Sequence, residues 1–233
     1  MAGVSIVIPT ATFTHIVASL TLPNPDGLVG EYVLGVDGTS SARNRANPAA
    51  PLTVEGAPTY TPYDVLVTGG GFGNNGFDTE FSPTGDVTML VICKAPAEGQ
   101  YIPFASYVGS TSILGFFVAT DVQFGNSRWN APPNNASLSL PGHGNHFFMA
   151  GIGALGQTPK LHLGNAGSLT NNTGAQTGIS PRDTSATLHI GTVVSGRGSV
   201  AYAALYNRVL ADDEVLATYL SLKSYYTGKI TVA

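Results

Sequence analysis

Ser199–Tyr226, within SVAYAALYNRVLADDEVLATYLSLKSYY, constrains the fold most, because the period of its apolar residues changes half-way. Ser199–Tyr206 has no proline, glycine or charge and is dense in Val, Ala, Leu and Tyr, the pattern of a buried strand. Asn207-Arg208 reads as a turn. From Asp212 to Tyr226 the period becomes helical: Val215, Tyr219, Leu222 and Tyr226 recur on one face, and Leu216 and Leu220 widen it. Asp212, Asp213 and Glu214 fill the first turn, where carboxylates suit the helix N-terminus. Gly228 is placed to stop the helix. No other stretch reads convincingly as helix; the rest is strands and turns.

That reading agrees with the composition. At 233 residues the length is ordinary for one large β-sandwich. Hydrophobic residues make up 43%, enough for a sizeable core, and 29 Gly with 15 Pro fit short strands joined by many turns. Charged residues are only 10%, against a usual ~25%. So sparsely charged a surface suits a subunit of an assembly. The net charge of −4 argues against nucleic acid as a partner. Cys93 stands alone, so no disulfide forms within the chain, and a small buried apolar role is expected for it. MAGVSIVIPTATFTHIVASL lacks a basic start and is broken by Pro9 and His15, so it is not read as a secretory signal. No run of ~20 apolar residues offers a membrane span. These features lead to the expectation of a virion component made in the host cytoplasm.

Residues 1–27 read as a separate N-terminal arm, or as the first edge strands of the domain that occupies 28–233. The arm would dock on its own domain or on a neighbouring subunit. After the strand in Gly27–Gly35 comes a polar loop, Val36–Pro51, holding Arg43 and Arg45. Solvated arginines are expected there, with a phosphate or sialic-acid contact as the alternative. Leu52–Tyr60 and Tyr63–Val67 follow. Gly71–Gly76 spells G-x-G-x-x-G after a strand, but Phe77–Phe81 then alternates as a strand and no helix N-terminus follows to hold a pyrophosphate. Asp86–Lys94 contains VTMLVIC, apolar on both faces. Strands at Tyr101–Tyr107, Ile113–Ala119, Asp121–Ser127, Leu138–Leu140, His146–Ile152, Lys160–Leu163 and Ala186–Gly191 complete the pattern.

The order of these segments resembles a laminin-G-like, concanavalin A-like lectin–glucanase jelly roll. LYNRVLADDEV resembles the end of that family, VTMLVICK one of its central strands, HFFMAGIGALGQ–TPKLHLGNAG its late hairpin, and LHIG the strand after it. The resemblance covers about residues 28–226. It implies an all-β antiparallel sandwich with one short C-terminal helix. The family usually has Ser where Ala211 stands, so Asp212 is expected to take over the cap, or the cap is lost. The resemblance also implies calcium held by loop aspartates; Asp37, Asp64, Asp78 and Asp121 are scattered candidates, and none is assigned.

No constellation in the sequence makes an enzyme. Laminarinase-type glycosidases of this fold set three carboxylates on one strand. Asp78-Thr-Glu80 supplies two, on one strand face by alternation, with Ser82 and Pro83 where a third would follow. Two solvated edge-strand carboxylates are expected. His143 and His146 are close in sequence, with His162 and His189 on later strands, but their spacing is not that of a zinc site. The best ligand cluster is Arg128, Trp129, Asn130, Asn134 and Asn135 in GNSRWNAPPNN, an aromatic platform beside amide and guanidinium donors. The bland reading is that Trp129 plugs its loop onto the sandwich or into a subunit interface.

The sequence therefore points to a non-enzymatic virion structural protein of a phage or prophage: a capsid decoration, head fibre or tail adhesin domain, homotrimeric, among other virion proteins. Cell-surface glycans are the candidate partners, with neither nucleic acid nor membrane. A stand-alone carbohydrate-binding module is the alternative, and a glycoside hydrolase the third reading.

Overall fold

The computed structural model describes residues 20–68, 75–94, 99–107, 113–119, 121–127, 134–142, 144–174 and 186–233. In chain order its elements are β1 (Leu28–Val33), α1 (Gly38–Ala42), β2 (Thr53–Glu55), β3 (Thr59–Tyr60), β4 (Val65–Thr68), β5 (Gly76–Asp78), β6 (Val87–Lys94) and β7 (Gly99–Tyr107). There follow β8 (Ile113–Val118), β9 (Asp121–Ser127), β10 (Asn134–Ser139), β11 (His146–Gly153), β12 (Lys160–Asn165), β13 (Ser168–Thr173), β14 (Leu188–Tyr206) and α2 (Asp212–Tyr226).

The strands form two antiparallel sheets that share β14. In the first sheet the second half of β14 pairs with β6 on one side and with β4 and β1 in tandem on the other. That sheet continues from β6 through β11 and β12 to β13. In the second sheet the first half of β14 lies between β5 and β7; β2 flanks β5, and β8, β9 and β10 extend from β7. The strands expected at Ala186–Gly191 and Ser199–Tyr206 are thus two parts of one 19-residue strand.

The alternation of VTMLVIC explains how the layers hold. Met89, Val91 and Cys93 point between the sheets with Phe77, Phe104, Phe116, Phe124 and Phe147. Leu90 and Ile92 point the other way, under α2, with Phe148, Tyr202, Tyr206, Tyr219 and Tyr226. Met89–Cys93 is a continuous apolar run within this eight-residue strand because the strand has a core on each face. Burial raises the Cys93 thiol well above its usual range, which keeps it neutral. Leu20 and Leu22 also enter the core beneath α2, so residues just before β1 are packed onto the sandwich.

α2 buries Val215, Thr218, Tyr219, Leu222 and Tyr226. Burying Val215 and Leu222 is worth about 1.5–3 kcal/mol each. Leu216 is half-buried, but Leu220 is 45% exposed. Leu220 lies beyond the edge of the buried stripe, and Thr218 is inside it, able to be so because its hydroxyl donates to the Glu214 carbonyl. The hydroxyls of the two buried tyrosines of α2 both reach carbonyl acceptors: Tyr226 donates to the Ala201 carbonyl at 2.7 Å and Tyr219 to that of Ala233 at 2.9 Å.

The N-cap of α2 is Ala211, and its missing hydroxyl is not replaced by Asp212, which instead binds Lys160. Asp213 accepts from the Glu214 amide at 3.0 Å, and Glu214 reaches back to the Ala211 amide at 2.8 Å. Half of a capping box therefore survives. The helix ends at Thr227, with Gly228 at φ +78 as its stop.

Two elements, α1 and β13, are absent from the sequence reading. α1 is a second helix, a single turn inside the expected polar loop, capped by Asp37 accepting from the Ser40 amide. A five-residue helix is too short to show a period. β13, SLTNNT, carries no apolar alternation because it is an exposed edge strand.

Candidate functional site

A cleft of about 490 Å³ opens where the end of β1, the turn after it, α1, the Pro62–Tyr63 loop and the end of α2 meet. Its lip is set by an unusual piece of backbone. At Gly35, φ +126, an added Cβ would lie 2.9 Å from the Asp64 amide nitrogen and 3.0 Å from the Thr61 carbonyl, so the strand end passes tightly against the neighbouring loop. Val36 follows at φ +65. The Asp37 amide donates to the Gly35 carbonyl at 2.8 Å, closing a γ-turn about Val36, whose own amide donates to Thr61 at 2.6 Å. A β-branched residue in this conformation is strained. Its isopropyl group gains no burial in return: Val36 is 67% exposed, the most exposed large apolar side chain among the described residues.

Tyr63, 42% exposed, lines the same cleft, as do Thr39 and Ser40 from α1, Arg43 just beyond it, and Tyr225, Tyr226 and Lys229 at the end of α2. The Lys229 ammonium lies 3.4 Å from the Tyr225 ring centroid, a cation–π contact. The Lys and Arg ion pairs among the described residues involve Lys160 and Arg208; neither Arg43 nor Lys229 has a carboxylate partner there. Asp37, beside the lip, is committed to capping α1, and the Ser40 amide holds its carboxyl below the usual range. The cleft thus combines two cations that lack a carboxylate partner among the described residues with hydroxyl groups and apolar and aromatic surface. That set of donors suits a hydroxylated ligand bearing negative charge.

Arg128, Trp129 and Asn130 of the sequence-predicted cluster lie outside the described residues. Asn134 opens β10, and Asn135 is half-buried on that strand, donating to the Gln123 side chain at 3.0 Å. Gln123 and Ser137 both donate to Asp121, so Asn135 belongs to a polar ladder across β9 and β10. Its Oδ1 is buried without a partner among the described residues. Of the loop arginines, Arg45 is not solvated: it is half-buried and donates to the Leu20 carbonyl at 2.9 Å. Arg43 is exposed at the cleft. Its loop position was visible in the sequence; the partners Val36, Tyr63 and Lys229 carried no signal, because the three segments meet only in space.

The expected strand through Phe77–Phe81 stops at Asp78. Glu80 has φ +56, which breaks the alternation that would put Asp78 and Glu80 on one face. Asp78 accepts from the Glu80 amide at 2.7 Å, while Glu80 accepts from Thr53 at 2.7 Å. The calcium candidates do not converge: Asp37 caps a helix, Asp64 binds His146 at 2.9 Å, Asp121 serves the β9–β10 ladder, and Asp78 lies beside Glu55 and His189. His146 is paired to Asp64 within a network including Thr61, and hydrogen bonds from His146 and Thr61 lower that carboxyl's pKa despite the opposing effect of burial. His162 is fully buried, and among the described residues neither ring nitrogen has a hydrogen-bond partner although Asp212 lies 3.4 Å away. Burial and the nearby Lys160 push its pKa down.

No family model and no curated protein matches the chain. Solved structures do. The chain is similar to the binding domain of botulinum neurotoxin DC in complex with SialylT, at 12% identity and TM-score 0.61 over 85% of this chain and 52% of that one. It is also similar to the receptor binding domain of the botulinum neurotoxin C/D mosaic serotype, at 8% identity and TM-score 0.62 over 84% and 52%. A mutant of Trypanosoma rangeli sialidase displaying trans-sialidase activity matches at 17% identity and TM-score 0.61 over 89% and 34%. The chain spans about half the length of the toxin binding domains. What it shares with these proteins is a β-sandwich, lectin-like fold.

Proposed function

We propose that this chain is a non-enzymatic recognition domain that binds acidic glycans of a cell surface through the cleft between β1, α1 and the end of α2. The observation that carries the reading is the convergence of strained, exposed Val36 with Tyr63 and with Arg43 and Lys229, which have no carboxylate partner among the described residues. A sugar ring offers C–H faces to the tyrosine, hydroxyls to Thr39 and Ser40, and a carboxylate or sulfate to the cations. The toxin binding domains of the same fold, one solved with SialylT, support a recognition role. The virion setting, as a homotrimeric capsid decoration, head fibre or tail adhesin, is part of the proposal. It is supported by the 10% charge content, since so sparsely charged a surface suits an assembled one.

A glycan array carrying sialylated, uronic-acid, sulfated and matched neutral sugars tests the cleft. Binding is expected to acidic glycans only, and Arg43→Ala with Lys229→Ala is expected to weaken it at least tenfold. A blank array, or binding unchanged in the double variant, would sink the assignment. Sedimentation of the same protein is expected to show a trimer; a 24.0 kDa species alone would remove the trimer from the reading.

A further inference from the structure

We propose that Glu55, Asp78 and His189 form a binding site for a divalent transition metal, with zinc the ion their donor set favours. The three residues stand on three neighbouring strands of the second sheet: β2, β5 and β14. Asp78 and His189 are directly opposed in register, and Glu55 is opposed to Gly76, two residues before Asp78. Phe77 on β5 and Leu188 and Ile190 on β14 face the core, so alternation sends Asp78 and His189 to the outer face. Gly76 is what brings the strands together there: a Cβ on it would lie 2.2 Å from the Ile190 carbonyl oxygen. The site is therefore held by sheet register and close backbone packing.

One oxygen from each carboxylate and one nitrogen of the ring all lie within 4.8 Å of one another. His189 Nδ1 is 3.0 Å from Glu55 Oε2, and Nε2 is 3.9 Å from Asp78 Oδ2. Tetrahedral zinc, with bonds of ~2.0–2.2 Å, sets its donors about 3.4 Å apart, so a side-chain shift on the order of 1 Å completes the set. Thr187 Oγ1 lies 3.0 Å from Asp78 Oδ2 and 3.1 Å from His189 Nε2, placed to orient both.

Charge points the same way. Two carboxylates are gathered about one imidazole, and among the described residues no Lys or Arg pairs with either. A divalent cation supplies the missing positive charge. The imidazole decides which cation: calcium takes six to eight oxygens, whereas one nitrogen and two carboxylate oxygens suit zinc, with further positions left to water.

The test is calorimetric titration of chelator-treated protein with ZnCl2 and, separately, CaCl2. Cobalt(II) absorption on the wild-type protein gives an independent reading of nitrogen and oxygen coordination. One zinc per chain is expected, with a raised unfolding midpoint, and Asp78→Asn and His189→Gln are each expected to weaken binding about 10–100-fold. Circular dichroism identifies any variant that has lost its fold; Glu55→Gln, expected to weaken zinc binding similarly, replaces it. No zinc uptake by the wild-type protein overturns the proposal. So does calcium binding more tightly than zinc, or zinc affinity unchanged in folded Asp78→Asn and His189→Gln proteins.

Discussion

Val36 shows how much one residue can say and how little its letter does. The local sequence GVDG reads as a turn, but nothing in it sets a positive φ at the valine rather than at a glycine. That conformation costs on the order of 1–2 kcal/mol for a side chain branched at Cβ. Glycine would relieve it while adding its own entropic cost of roughly 0.5–1 kcal/mol. Val36→Gly is therefore expected to stabilise the fold, by about 0.5–1 kcal/mol in urea unfolding, and to weaken glycan binding severalfold. A variant that is less stable, or that binds as well as the parent, contradicts strain retained for contact. Arg43 is legible in part: the loop and its charge were visible, its lack of a carboxylate partner among the described residues was not. Arg45, two residues on, has the same side chain but is tied to Leu20. That difference arises from the packing of distant segments.

Among the elements, α2 was read in the sequence almost whole because its buried face repeats at helical spacing. Of the two expectations for its cap, takeover by Asp212 fails and loss of the side-chain cap holds, because the first-turn carboxylates divide their partners by geometry: Asp212 to Lys160, Asp213 to the Glu214 amide, Glu214 to Arg208 and Ala211. Arg208 binds both oxygens of Glu214, at 2.9 and 2.7 Å. Hydrogen bonds from Arg208 and from the Ala211 amide lower the Glu214 pKa from 4.5 to about 2. Because the folded value is the depressed one, this stabilisation is present above pH 4.5 and disappears as pH falls through 2. Glu214→Gln is expected to cost about 1 kcal/mol at neutral pH. Its stability should then decline less steeply than the parent's between pH 4.5 and 2. Parallel acid limbs in urea titrations of the two proteins would contradict the assignment. Asp64 and Asp212, also depressed, are expected to supply a remaining acid dependence. At the other extreme are α1 and β13: one turn of helix has no period, and an exposed edge strand has no apolar face.

At the scale of the molecule, the sandwich was legible because each layer leaves a one-dimensional trace. β6 is apolar on both faces because it separates two cores, and α2 is striped because it covers one of them. The candidate sites leave no such trace. The cleft is assembled from residues 33–43, 62–63 and 225–229, and the carboxylate–imidazole group from residues 55, 78 and 189. Sequence spacing contains no information about their meeting except through the fold itself. β14 makes that fold depend on a late segment. It contributes to both sheets and pairs with β1, β4, β5, β6 and β7, so a chain emerging N-terminus first has the partners long before the strand that joins them. The second sheet cannot be finished until Gly196 has left the ribosome, nor the first until Tyr206 has, and the waiting strands present open edges. Ribosome-bound chains stalled before Leu188 should accordingly be digested readily by protease, and those stalled well beyond Tyr226 should be protected. Early protection would mean that half of the sandwich folds without its shared strand. Otherwise translation speed and chaperone supply, rather than the stability of the finished sandwich, set how much of this protein is recovered.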